Sequence, residues 1–472
     1  MTDRIFAGIA DYAEAYRSGR SSPTQVVQRL LQAVTASEQR TPPMRVFIAL
    51  SEKDVLEQAR HSTERVERGE ARGPLEGVPI AIKDEIDVAG YPTTVGTSFL
   101  GSSPAQGDAT VVARLRAAGA LIVGKTNMHE VGLGVTGINP HHGSARNPYA
   151  PAHVTGGSSS GSAAAVAAGL CPAAVGADGG GSVRIPAALC GVAGLKPTFG
   201  RVSEAGAAPL CWSLAHIGPL CASVHDAALM LEVMSGPDPA DPNTLGQPAL
   251  GAESLEGGVA GLRIGWPASW VAQASEPVRR LCRTAVERLS GEGARVCELE
   301  IEHLDLHRVV QYLTIGVEMA TAQYEHRRTH QRDYGADTRL LLEVASQVPA
   351  VDYLRAQRLR SQIRDAFARA FREVDLIATP ATATTAPLLR AAAESAGESD
   401  DAVLENLTAF SFAANLTGLP ALAVPVGYLD GLPVGLQLMG SWWRERQLLR
   451  AGIVVEKHLE RQRPAVGYRP LD

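Results

Sequence analysis

Three consecutive segments constrain the fold more than any other part of the chain. "GVPIAIKDEI" (77–86) and "ALIVGKT" (120–126) are short runs of strand composition, and "DATVVARLRAAG" between them carries apolar residues at helical spacing. Strand, helix and strand in that order are the alternation of an α/β sheet, so the first half of the chain is read as one layered core. Upstream, "SPTQVVQRLLQAVTAS" (22–37) and "SEKDVLEQARHSTERVERGE" read as helices. Downstream, residues 272–375 are mostly helical by pattern, with "DYLRAQRLRSQIRDAFARAFREV" the clearest amphipathic helix, and they lead into a strand at 375–380. "TTAPLLRAAAESAGESDDAV" reads as an exposed loop with a short helix, and "GLPALAVPVG" and "GLPVGLQLMG" as paired strands returning to the core. A length of 472 residues alone suggests about three domains. The chain nevertheless shows no internal repeat and no linker long enough to divide it.

With 45% hydrophobic and 20% charged residues the chain can bury a sizeable core. A net charge of -6 supplies no basic field for nucleic acid or an anionic membrane, and favours a small neutral or mixed partner. The six cysteines (Cys171, Cys190, Cys211, Cys221, Cys282 and Cys297) lack CxxC spacing and mostly sit in apolar surroundings, so buried thiols in a reducing compartment are expected. The first twenty residues, with Asp3 and Asp11 among apolar positions, suit an amphipathic surface helix better than a signal peptide. The longest apolar run, "AAAVAAGLCPAAVGA", is Ala-rich and interrupted by Gly169 and Pro172, which makes it a poor bilayer span. A soluble, cytoplasmic protein without a membrane span is the expectation.

From about 130 to 210 the chain is dense in Gly, Ser and Pro, and "GADGGGSVRIP" (176–186) sets Ser182 directly after three glycines. Only five lysines stand against 39 arginines, so each lysine is informative. A lysine desolvated in an apolar setting can lose its proton and act as a base, whereas arginine cannot. Lys83 and Lys125 both end apolar strands, and spacing does not separate them; for Lys125 and Lys196 a paired structural role is preferred. None of the twelve histidines has a telling context. His129, His141 and His142 cluster, but without HExxH or a related metal spacing, and are expected on loop surfaces. "GSSSG" centred on Ser159 matches the α/β-hydrolase elbow, yet no apolar strand leads directly into it and no well-placed late histidine follows. Nucleotide-binding glycine patterns are incomplete.

"GGSSSGSAAAVAAGLCPAAVGADGGGSVRIPAALCGVAGLKP" (156–197) resembles the signature of the amidase signature family, nearly position for position. "LEGVPIAIKDEIDVAG" and "NLTGLPALAVPVGYLDGLPVGLQLMG" extend the likeness over almost the whole chain, which is most similar to plant-type fatty acid amide hydrolases. The resemblance implies an α/β fold with a central mixed, twisted β-sheet covered by helices on both faces. It implies one amidase domain, 1–472, with a catalytic core over about 65–240 and 370–472 and a more variable helical region over about 265–370.

The resemblance also selects Lys83 over Lys125. It implies a triad of nucleophile Ser182, bridging Ser158 and base Lys83, with the N–H groups of Gly179, Gly180, Gly181 and Ser182 as an oxyanion hole. Asp178 and Arg184 become structural partners of the loop, Ser159 a hydrogen-bond partner of the relay, and Gly132 and Leu133 neighbours of the acyl pocket. Trp212, Met319 and Trp442 are either cavity lining or core. Ala215-His216 departs from the polar or acidic residue common in the family.

The expected function is hydrolysis of hydrophobic acyl or aryl amides, with esters and carbamates as side substrates, on a small-molecule amide and without metal or cofactor. Two alternatives stand: the amidase component of a tRNA-dependent amidotransferase acting on glutamine, and a silent binding protein on the same fold. Monomer and homodimer are both open.

Overall fold

The structure is a computed structural model that describes residues 5–472. Among the described residues, eleven strands form one sheet: β1 (Phe47–Ala49), β2 (Pro79–Lys83), β3 (Leu121–Thr126), β4 (Ala173–Ala177), β5 (Ala193–Lys196), β6 (Ile217–Cys221), β7 (Arg263–Trp266), β8 (Arg295–Glu298), β9 (Leu376–Pro380), β10 (Ala421–Leu429) and β11 (Leu432–Gly440). Their spatial order is β1-β3-β2-β4-β6-β5-β10-β11-β9-β7-β8. β2 pairs in parallel with β3 and β4, and β7 with β8 and β9, while the remaining pairs are antiparallel. The sheet is therefore mixed, as the family resemblance implies.

Helices cover both faces, and the alternation of side chains along the strands sorts them. The N-terminal helices are α1 (Ile9–Arg17), α2 (Pro23–Glu38) and α3 (Glu52–Arg68), followed by α4 (Thr110–Ala117), α5 (Ser160–Ala167), α6 (Arg184–Leu189) and α7 (Val224–Met234). Ala81, Val123, Ala174, Leu220 and Ala423 share one cluster with the alanines of α5 and with Val183 and Ala187. Ile80, Ile82, Ile122, Val175 and Leu422 share the other with α4, α7 and the helix Glu445–Lys457. Successive strand residues point to opposite faces, so Lys83, two beyond Ala81, lies on the face that α5 covers. The Ala-rich run read as a poor membrane span is this close-packed helix and β4. A Cβ at Gly161 would stand 2.3 Å from Val46 O, so only small residues let the helix approach this closely. Among the described residues, no helix is long and apolar enough to cross a membrane.

Helix ends follow the sequence closely. Ser22 caps α2 in a reciprocal box with Gln25, and Ser51 caps α3 by accepting from Asp54 N. The N-terminal helix runs from Ile9, and the first four residues lie outside the described ones. The structure adds detail to two expectations. The stretch 272–375 is mostly helical, as read, and also contains β8, which pairs with β7 and extends the sheet at its edge. The segment 384–403 is tied down: Glu394 accepts from Ser144 N at 2.7 Å and from Arg146 at 2.8 Å, and pairs with Arg45 at 3.1 Å.

The N-cap of helix α1, Gly8, donates to Asp11 within the helix at 2.8 Å, and Asp226 of α7 caps the next donor, accepting from Ile9 N at 2.9 Å and from Ser223 Oγ at 2.7 Å. Burial pushes this carboxyl up to about 6 against those two donors. A carboxyl raised on folding contributes stability below its unfolded value that is lost as pH rises through about 6. Asp226→Asn, which keeps an acceptor for Ile9, is therefore expected to gain thermal stability over the natural chain at about pH 7.5 and much less at about pH 4. Equal differences in melting temperature at the two pH values would contradict this.

Candidate active site

Lys83 closes β2 and is 1% exposed. Its Nζ lies 2.7 Å from Ser158 Oγ and 3.3 Å from the carbonyl of Ala177, the last residue of β4. Glu85 Oε2 stands 2.8 Å from the same nitrogen, off the ideal hydrogen-bond direction. Ser158 sits in the approach to α5 after a cis Gly157–Ser158 peptide. Its carbonyl accepts from His129 N at 3.0 Å, and Gly157 N donates to Val135 O at 2.8 Å. Ser182 follows the glycines at the start of α6, and its carbonyl accepts from Ser159 N at 3.2 Å. Lys83, Ser158 and Ser182 thus converge on one cavity of about 310 Å³, which Gly132, Leu133, Gly179 and Gly180 also line.

The loop between β4 and α6 is built on one buried carboxylate. Asp178 accepts from Gly181 N at 2.6 Å, from Val183 N at 3.1 Å, and from Arg184 Nε and Nη2 at 3.0 and 2.9 Å. Arg184 in turn reaches Ser411 O, Gln437 Oε1 and Asn415 Oδ1, and Asn415 Nδ2 returns to Asp178. Burial works to raise the Asp178 carboxyl, but the Arg184 guanidinium outweighs it and holds the group well below the usual carboxylate range. Gly179 and Gly180 are held by their carbonyls, which accept from Gln311 Nε2 and Ser411 Oγ at 2.7 Å each.

One expected member of the oxyanion hole changes role. The Gly181 N–H is taken by Asp178, so it is not available to a ligand, whereas the N–H groups of Gly179, Gly180 and Ser182 have no acceptor among the described residues. Gly181 is required for shape: its φ is +118°, and a Cβ there would meet Ser411 Cβ and Ile185 Cδ1 at 2.6 Å. Ser159 also differs from expectation. Its hydroxyl bonds the backbone N and O of Ala177, tying α5 to β4, and does not bond Ser158 or Ser182.

Other nominees separate cleanly. Lys125 pairs with Asp84 at 3.3 Å, and Lys196 is buried with its Nζ on Pro197 O. His129 is not on the surface; it is 2% exposed, and burial lowers it to about 4, so its ring is neutral at physiological pH. His141 lies 2.6 Å from Glu130, and the ring of His142 donates to Thr97 O, both partly buried. At the Ala215-His216 departure, Ala215 lines the cavity and the His216 carbonyl accepts from Asp178 N at 2.8 Å. Met319 lines the cavity, while Trp212 and Trp442 lie on a separate surface groove.

Sequence reasoning missed Glu85 and Glu204, which also line the cavity. Burial, with Asp241 and Glu85 nearby, pushes Glu204 up to about 8. Glu85 follows Lys83 by two positions, a signal that was available; Glu204 comes from a distant loop and left none. The remaining lining is mainly apolar: Leu210, Ile315, Leu341, Val344, Leu404 and Phe412 among others.

The Amidase family model matches residues 25–449. The chain is 40% identical to the fatty acid amide hydrolase of Oryza sativa subsp. indica, with 99% of this chain and 79% of the rice protein covered. It is 38% identical to a glutamyl-tRNA(Gln) amidotransferase subunit of Roseiflexus castenholzii, with 96% of each covered. The solved structure of the peptide amidase PAM with the competitive inhibitor chymostatin superposes with a TM-score of 0.84 at 31% identity, covering 99% of each chain. The fold and these matches define an amide-hydrolysing serine enzyme. The chain belongs to the amidase signature family.

Arg184→Met leaves Asp178 buried without its cation, and loss of one partner of such a pair costs about 3–5 kcal/mol. A markedly lower urea midpoint is expected, and an unchanged midpoint would show that the loop does not depend on the pair.

Proposed function

We propose that the protein cleaves hydrophobic acyl or aryl amides by acyl transfer to Ser182, with Ser158 and Lys83 as proton relay. The observation that carries this reading is the 2.7 Å contact between Lys83 Nζ and Ser158 Oγ at the floor of an apolar cavity that Ser182 also lines. Neutral Lys83 takes a proton from Ser158 as Ser158 takes one from Ser182, whose Oγ bonds the acyl carbon. The oxyanion so formed accepts from the free N–H groups of Gly179, Gly180 and Ser182. The C–N bond then breaks, the relayed proton leaves with the amine, and water enters by the same relay to release the acid. Esters of the same acyl groups pass through the same steps with an alcohol as leaving group, and aryl carbamates pass a carbamoyl group to Ser182 and lose a phenol.

Glutamine fits this cavity poorly. Its α-carboxylate needs a cation, and the one basic residue among the described lining side chains, Lys83, already faces Glu85. Glu85 and Asp401 would repel it. The similarity to an amidotransferase component is thus read as shared fold and chemistry.

Purified protein assayed on fatty acyl amides, p-nitroanilides, an aryl carbamate and glutamine is expected to turn over the apolar substrates and not glutamine. Ser182→Ala and Lys83→Ala are each expected to lower kcat/KM by at least about 10³-fold, the scale of losing a nucleophile or its base. Glutaminase activity alone, or hydrolysis that survives Ser182→Ala, would overturn the proposal.

A further inference from the structure

Lys83 has a neighbour that the relay does not use. Of the polar groups around its Nζ, Ser158 Oγ and Ala177 O are uncharged and Glu85 Oε2, at 2.8 Å, is a carboxylate oxygen. Glu85 is 6% exposed, so water screens this contact little. Gly132 packs against the pair: a Cβ there would lie 3.5 Å from Glu85 Oε2 and 3.6 Å from Ser158 Oγ, ordinary contact distances.

The relay changes the charge at this point. Lys83 begins as an amine and becomes an ammonium as the proton of Ser182 passes through Ser158, so positive charge develops 2.8 Å from Glu85 while the oxyanion forms at the glycine loop. We infer that Glu85 is a positioning residue for the reaction: its carboxylate is the counter-ion of protonated Lys83, and it sets the pH at which the relay becomes active. This inference rests on the Lys83–Ser158–Ser182 reading.

The other titratable groups facing the pair bring no competing unpaired charge to it. Glu204 is the nearby second carboxyl and, pushed up to about 8, is mostly protonated at neutral pH. Cys211 sits within reach of Glu204, Glu85 and Lys83, and burial raises its thiol well above the usual range, keeping it uncharged. The buried ring of His129 is neutral. Lys125, also within electrostatic reach of Glu85, is matched by Asp84 at 3.3 Å.

Two opposed effects follow from one substitution. Glu85→Gln removes the charge that favours the ammonium, so Lys83 sheds its proton more readily and the acid limb of kcat/KM moves to lower pH. The same change leaves the ammonium of the transition state without its partner, so kcat on the plateau falls. An opposite charge within about 4–6 Å typically shifts a titration by about 1–3 units. An acid-limb shift of about one pH unit and a plateau loss of about 10-fold or more are expected. Glu85→Asp keeps the charge but withdraws it by one methylene, and is expected to lie between the natural chain and Glu85→Gln in both readouts.

The experiment is the pH profile of kcat and KM for the natural chain, Glu85→Gln, Glu85→Asp and Lys83→Ala on one hydrophobic amide, with thermal melts to confirm folding. If Glu85→Gln does not fold, the smaller shift in Glu85→Asp carries the test. An acid limb that stays at its natural pH in every folded Glu85 variant overturns the inference. If Lys83→Ala is inactive in that case, the triad reading survives; if Lys83→Ala turns over normally, the triad reading itself has failed.

Discussion

The carboxylate of Asp178, fully buried and paired with Arg184 at 2.9 Å, is the point on which the site is hung. Without it, three successive glycines would be among the least ordered segments of the chain, because glycine loses the most conformational freedom on folding. Asp178 fixes them through the N–H groups of Gly181 and Val183, and the same guanidinium that neutralises it reaches Ser411, Asn415 and Gln437. The loop is thereby anchored to β11 and to the helix Phe412–Thr417, more than 200 residues away in sequence. Such a loop presents its remaining N–H groups in fixed directions before any substrate arrives, which is the condition for electrostatic preorganisation.

The sheet explains how Lys83 and Ser158, the proposed base and bridging serine, meet from distant segments. β2 and β4 are adjacent parallel strands, so Lys83 at the end of one and Ala177 at the end of the other lie side by side at the same sheet edge. Helix α5 packs across both, and its alanines bring the backbone close enough for Ser159 to bond Ala177 and for Ser158 to reach Lys83. Ligand sites outside the carboxyl ends of parallel strands are a general consequence of such sheets. The parallel part of this mixed sheet behaves accordingly.

Legibility in the sequence followed local signal strength. β2, β3, β9 and the β10–β11 hairpin were readable because each is an apolar run bounded by turn residues. β7 and β8 were not: "RIGW" and "RVCE" are four residues long, the second is polar at both ends, and only pairing at the sheet edge makes them strands. The segment around Glu394 read as an exposed loop with a short helix, and its anchoring was not legible because Arg45, Ser144 and Arg146 lie some 250 residues or more upstream. At the site, Ser182 drew attention through its glycines, but Lys83 could be separated from Lys125 only by family resemblance. Asp84 explains the difference afterwards, since it pairs with Lys125 and leaves Lys83 facing the cavity. His129 carried no mark of its burial, and Gly181 none of its bond to Asp178, because both depend on contacts made only in the folded chain.

The claim that binds these features together is that Ser182 carries the acyl group. Brief incubation with a slowly released aryl ester or carbamate, acid quench and peptide mass mapping would test it directly. The expected result is one acyl mass increment on Ser182, absent in Ser182→Ala and slow to form in Lys83→Ala. Steady turnover with no adduct on Ser182, or an adduct on Ser158 instead, would contradict the assignment of nucleophile and relay.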